Sequence, residues 1–119
     1  MRIVLLLLVA ATTARTALPQ CEDKKSTADQ MECLGPALKK ADAELNHVYQ
    51  KKLKQLPAEN AGRLRKAQRA WLAYRDAQCN AAQERYVGGS IAPVVFVQCR
   101  LTLTQSRTKE IEETYTPLH

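Results

Sequence analysis

Four cysteines constrain this chain more than any other feature, because Cys21, Cys33, Cys79 and Cys99 all follow a leader of the kind that takes a protein out of the reducing cytosol. Arg2 supplies a positive start, Ile3 to Ala11 an apolar run, and residues 12–17 a small and polar exit, the layout of a secretory signal peptide. Residues 1–17 are therefore expected to be a signal peptide, cleaved after Ala14 or Ala17. Ala14 is preferred, because cleavage after Ala17 would put bulky, charged Arg15 at the minus-three position. An apolar run of about nine residues is well short of the roughly twenty that span a bilayer, so no permanent membrane anchor is expected. A lipid anchor on Cys21 is disfavoured by Gln20, where a lipoprotein signal wants a small residue. Residues 18–119 then form one domain, periplasmic or secreted.

An oxidising compartment and an even number of cysteines predict two disulfides. Four cysteines permit three connectivities. The preferred one pairs Cys21 with Cys33 and Cys79 with Cys99, since each bridge then staples a segment boundary to a neighbouring helix. A domain of about a hundred residues buries a real but modest core, which benefits from covalent help. The cysteines do not form paired Cys-x-x-Cys knuckles, and only His47 and His119 could add nitrogen ligands, so neither a metal site nor a cofactor is expected.

Apolar residues recur at helical spacing along most of the remainder. Ser26, Thr27 and Asp29 can open a short helical turn through Cys33 and Leu34, which Gly35 and Pro36 are expected to interrupt or kink. From Leu34, residues Leu38, Ala41, Leu45, Val48, Tyr49, Leu53 and Leu56 follow at steps of three and four until Pro57 ends the run. A second helix is predicted from about Ala58 to Arg85, with Leu64, Ala67, Trp71, Leu72, Cys79 and Ala82 facing inward. Gly88, Gly89 and Pro93 break it. A third helix is expected from about Val94 to Glu113, although Val94, Val95, Phe96 and Val97 could pass for a strand. Helix is preferred there, because an isolated strand would have no backbone partner. The fold class is thus all-α, a small disulfide-stapled bundle of about three main helices.

Charge narrows the partners. Lys and Arg number 18 against 12 Asp and Glu, a formal net charge of +6 that falls by one when Arg2 leaves with cleavage after Ala14, and by two when cleavage after Ala17 also removes Arg15. The charges are scattered and mixed in sign, as on an ordinary soluble surface, with attraction to an anionic cell envelope the secondary reading. No basic run interleaved with aromatics points to nucleic acid. Catalysis is not expected either. His47 and His119 are poorly placed as general bases, and Asp76 and Glu84, eight residues apart on one helix with Arg75 adjacent, read as structural ion-pairing groups.

Two constellations remain. Asp42 and Asn46 lie one turn apart on the first long helix, and Gln68, Trp71 and Arg75 share a face of the second, with Asp76 beside them. Together they predict a partly buried hydrogen-bond network that clamps the two helices. The other is the loop from Tyr86 to Pro93. Its Gly88, Gly89, Ser90 and Ile91 are the candidate binding residues, because adjacent glycines permit unusual backbone shapes and a Cys79–Cys99 bridge would hold the segment ready to enter a cleft. Arg85 and Arg100 flank it and could supply charge.

The ordered residues Asp42, Glu44, Leu45, Asn46 and Tyr49, then Leu64, Arg65, Ala67, Gln68, Arg69, Ala70, Trp71, Leu72, Tyr74, Arg75, Asp76 and Cys79, then Gly88, Gly89 and Ser90, then Cys99, Leu103, Thr104 and Arg107 resemble the signature of the LprI-type lysozyme inhibitor domain. The resemblance covers nearly all of the chain after the leader and is densest from Ala67 to Cys79. It implies an exported bacterial helical domain with four cysteines in disulfides. It also implies lysozyme as a partner, with protection of peptidoglycan as the result. A binding or envelope-stress module that contacts cell-wall polymer through its basic face is the alternative.

Overall fold

The computed structural model of the protein describes residues 21–116; the expected signal peptide with its cleavage site, and His119, lie outside the described residues. Three helices follow in order, α1 (Thr27–Gln55), α2 (Ala58–Glu84) and α3 (Ala92–Thr114), and the described residues contain no strand. The all-α expectation holds, and the valine-rich segment that could pass for a strand forms the opening turns of α3. Pro93 falls in the first turn of that helix, where its missing N–H costs nothing.

Local chemistry sets the helix ends. The Ser26 hydroxyl accepts a hydrogen bond from the Asp29 amide at 3.0 Å, capping α1. At its other end the Leu56 amide bonds back to the Lys52 carbonyl, and Pro57 prevents continuation. Only Leu56 and Pro57 separate α1 from α2. In the first turn of α2, Glu59 pairs with Arg63 at 2.6 Å, an exposed contact worth a few tenths of a kcal/mol (~0.3–0.5).

The expected interruption at Gly35 and Pro36 does not occur: α1 runs through both residues without a break. Two features explain it. Pro36 and Glu32, whose carbonyl loses its helical partner, are both exposed, so water can solvate the freed oxygen. On the opposite face Leu34 is 1 % exposed within a cluster formed with Cys21, Ala41, Val94 and Leu101, and this packing anchors both sides of the proline. Replacing Pro36 by Ala should restore the missing bond. After allowing for the greater freedom of the unfolded chain, the gain should be about 1–2 kcal/mol, read as a higher urea midpoint for the oxidised protein. A lowered midpoint would show that the proline geometry is needed there.

The third helix organises the bundle. It packs along α1 and also against α2, whereas α1 and α2 touch each other sparsely. Leu101 and Ile111 of α3, Leu34 of α1 and Leu64 of α2 are each at most 1 % exposed. Two residues expected on the inner face of α2 lie outside it: Ala67 is exposed and Leu72 is 39 % exposed. The buried line of α2 is Ala61, Leu64, Gln68, Arg75 and Cys79, so polar side chains occupy places that the apolar pattern assigned to Ala67 and Leu72.

Both disulfides join the expected partners, Cys21 to Cys33 and Cys79 to Cys99. The first ties the segment before α1 to that helix's second turn. The second ties the last third of α2 to the third turn of α3 and closes the intervening loop. Each Cα–Cα distance, 5.8 and 5.5 Å, lies at the usual separation for such a bridge.

Candidate functional site

Arg75 is the hub of a polar junction where the three helices meet. Its Nη1 donates to Asp42 Oδ1 on α1 and to Thr104 Oγ1 on α3, each at 3.2 Å. Its Nε lies 3.6 Å from Asp76 Oδ1, too long for a hydrogen bond and close enough for an ion pair. Asp76 also lies 3.5 Å from Arg100 Nη2. The Arg75 side chain is 8 % exposed, whereas Asp42 and Asp76 remain about half exposed, so the buried guanidinium faces carboxylates that keep contact with water.

A second arginine completes the junction. Arg107 Nε donates to Gln68 Oε1 at 3.0 Å, and its Nη1 pairs with Glu110. Trp71 lies against both cations, with ring centroid distances of 5.2 Å to Arg75 and 5.9 Å to Arg107. Asp42, Gln68, Trp71, Arg75 and Asp76 therefore come together, and Thr104 and Arg107 of α3 join them. The α3 members are absent from a network drawn between the first two helices. Arginine is ordinarily a surface residue, and spacing along α3 alone does not distinguish Arg107 from its exposed neighbours Ser106 and Lys109.

Asn46 stays outside the hydrogen-bonded set. It lines an open cleft of about 260 Å³ between α1 and α2 with Asp42, Leu45 and Tyr49 on one wall and Gln68, Leu72 and Arg75 on the other. His47, one residue on, faces a separate groove of about 470 Å³ between α1 and α3, lined mainly by apolar surface. Among the described residues no group of three or more His, Cys, Asp or Glu could hold a metal, and no helix is long and apolar enough to cross a membrane.

The loop after α2 is a chain of tight turns. The Tyr86 amide bonds to the Gln83 carbonyl at 2.9 Å, the Gly89 amide to Tyr86 at 3.0 Å and the Ala92 amide to Gly89 at 3.3 Å. Gly88 adopts φ +88°, a conformation costly for any residue with a Cβ. Residues 84–90 are all exposed, with Val87 at 66 % and Tyr86 at 41 %. Ile91 turns the other way and packs against the core cluster around Cys21, Leu34 and Val94, which makes it an anchor of the loop. The exposed apolar tip is therefore Tyr86 and Val87, next to Gly88, Gly89 and Ser90. Arg85 lies 5.8 Å from the Tyr86 ring centroid, whereas Arg100 is occupied by Asp76 and stacks on Phe96 at 5.4 Å.

The chain is similar to known proteins over nearly all of this architecture. A protein of Rhizobium meliloti (strain 1021), named Uncharacterized protein R02472, is 37 % identical over 122 residues, covering 92 % of this chain and 88 % of its own length. No solved structure matches the chain. The family model described as Lysozyme inhibitor LprI matches residues 21–111, a span that contains both disulfides, the three-helix junction and the exposed loop. The chain belongs to the LprI lysozyme inhibitor family.

Proposed function

We propose that this protein is an exported, non-catalytic inhibitor that binds lysozyme and thereby protects bacterial peptidoglycan, with the loop at residues 86–90 as the element that enters the enzyme's cleft. Family membership carries the reading, and the shape of the loop supports the choice of element. An inhibitor gains affinity when its inserting segment is already ordered, because less conformational entropy is lost on binding. Here the Cys79–Cys99 bridge, the consecutive turns and the partly buried Ile91 all restrain the loop before any encounter.

Glycoside hydrolysis uses two carboxyl groups flanking the scissile bond. Ser90 can offer a hydroxyl to one of them, Arg85 can supply positive charge, and Tyr86 and Val87 can bury apolar surface at the rim. Arg100 would first have to leave Asp76. The net charge is spread over the chain, so affinity on this reading comes from the inserted loop more than from long-range attraction.

The test is lysis of a bacterial cell-wall suspension by an animal-type lysozyme, with and without the oxidised protein. Dose-dependent protection is expected. A variant with residues 86–90 replaced by a neutral Gly/Ser segment of equal length, keeping Ile91 and both disulfides, should lose at least about tenfold in potency, or roughly 1.4 kcal/mol. Full potency in that variant, with native helicity, would reject the loop. No protection by the parent protein at large molar excess would reject the inhibitor reading and favour an envelope module contacting cell-wall polymer. Salt separates the two further: surface attraction should fade by about 0.3 M salt, while a loop buried in a cleft should lose much less.

A further inference from the structure

We propose that the cleft between α1 and α2 is a binding site for a neutral saccharide ring, a site separate from the loop and independent of any lysozyme target. Two helices joined by two residues usually close against each other, yet α1 and α2 touch sparsely and Arg75 spans the gap between them. The space left, about 260 Å³, has polar and apolar walls in similar measure.

The polar groups have unused capacity. Neither the Asn46 amide nor the Tyr49 hydroxyl has a partner among the described residues. Asp42 gives one oxygen to Arg75 and its side chain stays 48 % exposed. An amide, a phenol and a carboxylate together ask for a ligand that both donates and accepts over a short span, as ring hydroxyls do. Charge narrows the class further. The Asp42 carboxylate and the Arg75 guanidinium already neutralise each other, so an anionic or cationic ligand would have to compete with that pair. A neutral polyol needs only the lone pairs and N–H groups left over. Leu72, 39 % exposed, and the half-buried Tyr49 ring supply apolar surface for the C–H face of a sugar. The floor is preorganised, because Thr104 holds Arg75 and Arg107 holds Gln68.

The experiment titrates the oxidised, nitrogen-15-labelled protein, in the absence of lysozyme, with chitotetraose and cellotetraose as neutral probes and with phosphate and glutamate as charged controls. At least one neutral probe should give saturable amide shifts centred on residues 42–49 and 68–75, with a dissociation constant of about 1 mM or tighter. The exposed substitution Asn46→Ala should leave the remainder of the spectrum in place and weaken that binding about fivefold, the loss of one neutral hydrogen bond. Absence of saturable shifts with both neutral probes would overturn the proposal. So would shifts confined to residues 86–91, equal response to the charged controls, or undiminished affinity in Asn46→Ala.

Discussion

Arg75→Leu should destabilise the protein by about 2–4 kcal/mol, because it removes the one side chain that bonds to α1 and α3 from α2. The cost falls unevenly on its partners. Asp42 and Asp76 are about half exposed and regain water, so their share is small. Thr104 is fully buried, and its oxygen would lose a donor where no solvent can replace it, a penalty of about 1–3 kcal/mol. Loss of the contact with Trp71 adds up to about 1 kcal/mol. Urea unfolding of the single variants and of Arg75→Leu/Thr104→Val checks the assignment. The double variant should cost clearly less than the two singles added, since removing both partners strands neither. Asp42→Asn should cost less than about 1 kcal/mol. If Asp42→Asn proved as damaging as Arg75→Leu, or the double variant were additive, stability at the junction would not reside in the Arg75–Thr104 contact.

Replacing Cys79 and Cys99 together by alanine should cost about 3 kcal/mol, the loop-closure entropy for a bridge spanning 20 residues. The equivalent change at Cys21 and Cys33, with a separation of 12, should cost slightly less on the same model. Function separates the bridges more sharply than stability does. The Cys79–Cys99 bond encloses the proposed inhibitory loop, whereas the Cys21–Cys33 bond, at the N-terminal end of the first helix, encloses none of it and meets it only through the anchor Ile91. Under conditions where both variants remain folded, protection against lysozyme should drop several-fold for the first and clearly less for the second, which reaches the loop only through the packing of Ile91. Equal loss in the two variants would mean that inhibition tracks global stability, and the restrained loop would have no special part.

Much of the architecture is legible along the chain because helix formation is local. The capping serine at Ser26, the stop at Pro57, the Gly88–Gly89 break and Pro93 in the first turn of α3 act through neighbours within a turn or two. The periodic apolar positions of α1 mark the face that packs, and both disulfides connect cysteines close enough in sequence to read as local staples. Pro36 shows the limit of that reasoning. Its ring breaks a helix only when the freed carbonyl cannot be solvated or the flanking turns are not held, and both conditions depend on what surrounds the helix.

Three helices, two disulfides and an exposed glycine loop were thus determined by the sequence itself, through short-range backbone preferences and the spacing of apolar residues and cysteines. Which helix lies between the other two, and which polar residues are buried, was decided only in the tertiary structure. Arg75, Arg107 and Thr104 can be buried because α3 brings their partners together from elements 29 to 39 residues apart in the chain. No window along the sequence contains that pairing: the hydrogen bonds that make burial of an arginine tolerable exist only once the helices have packed.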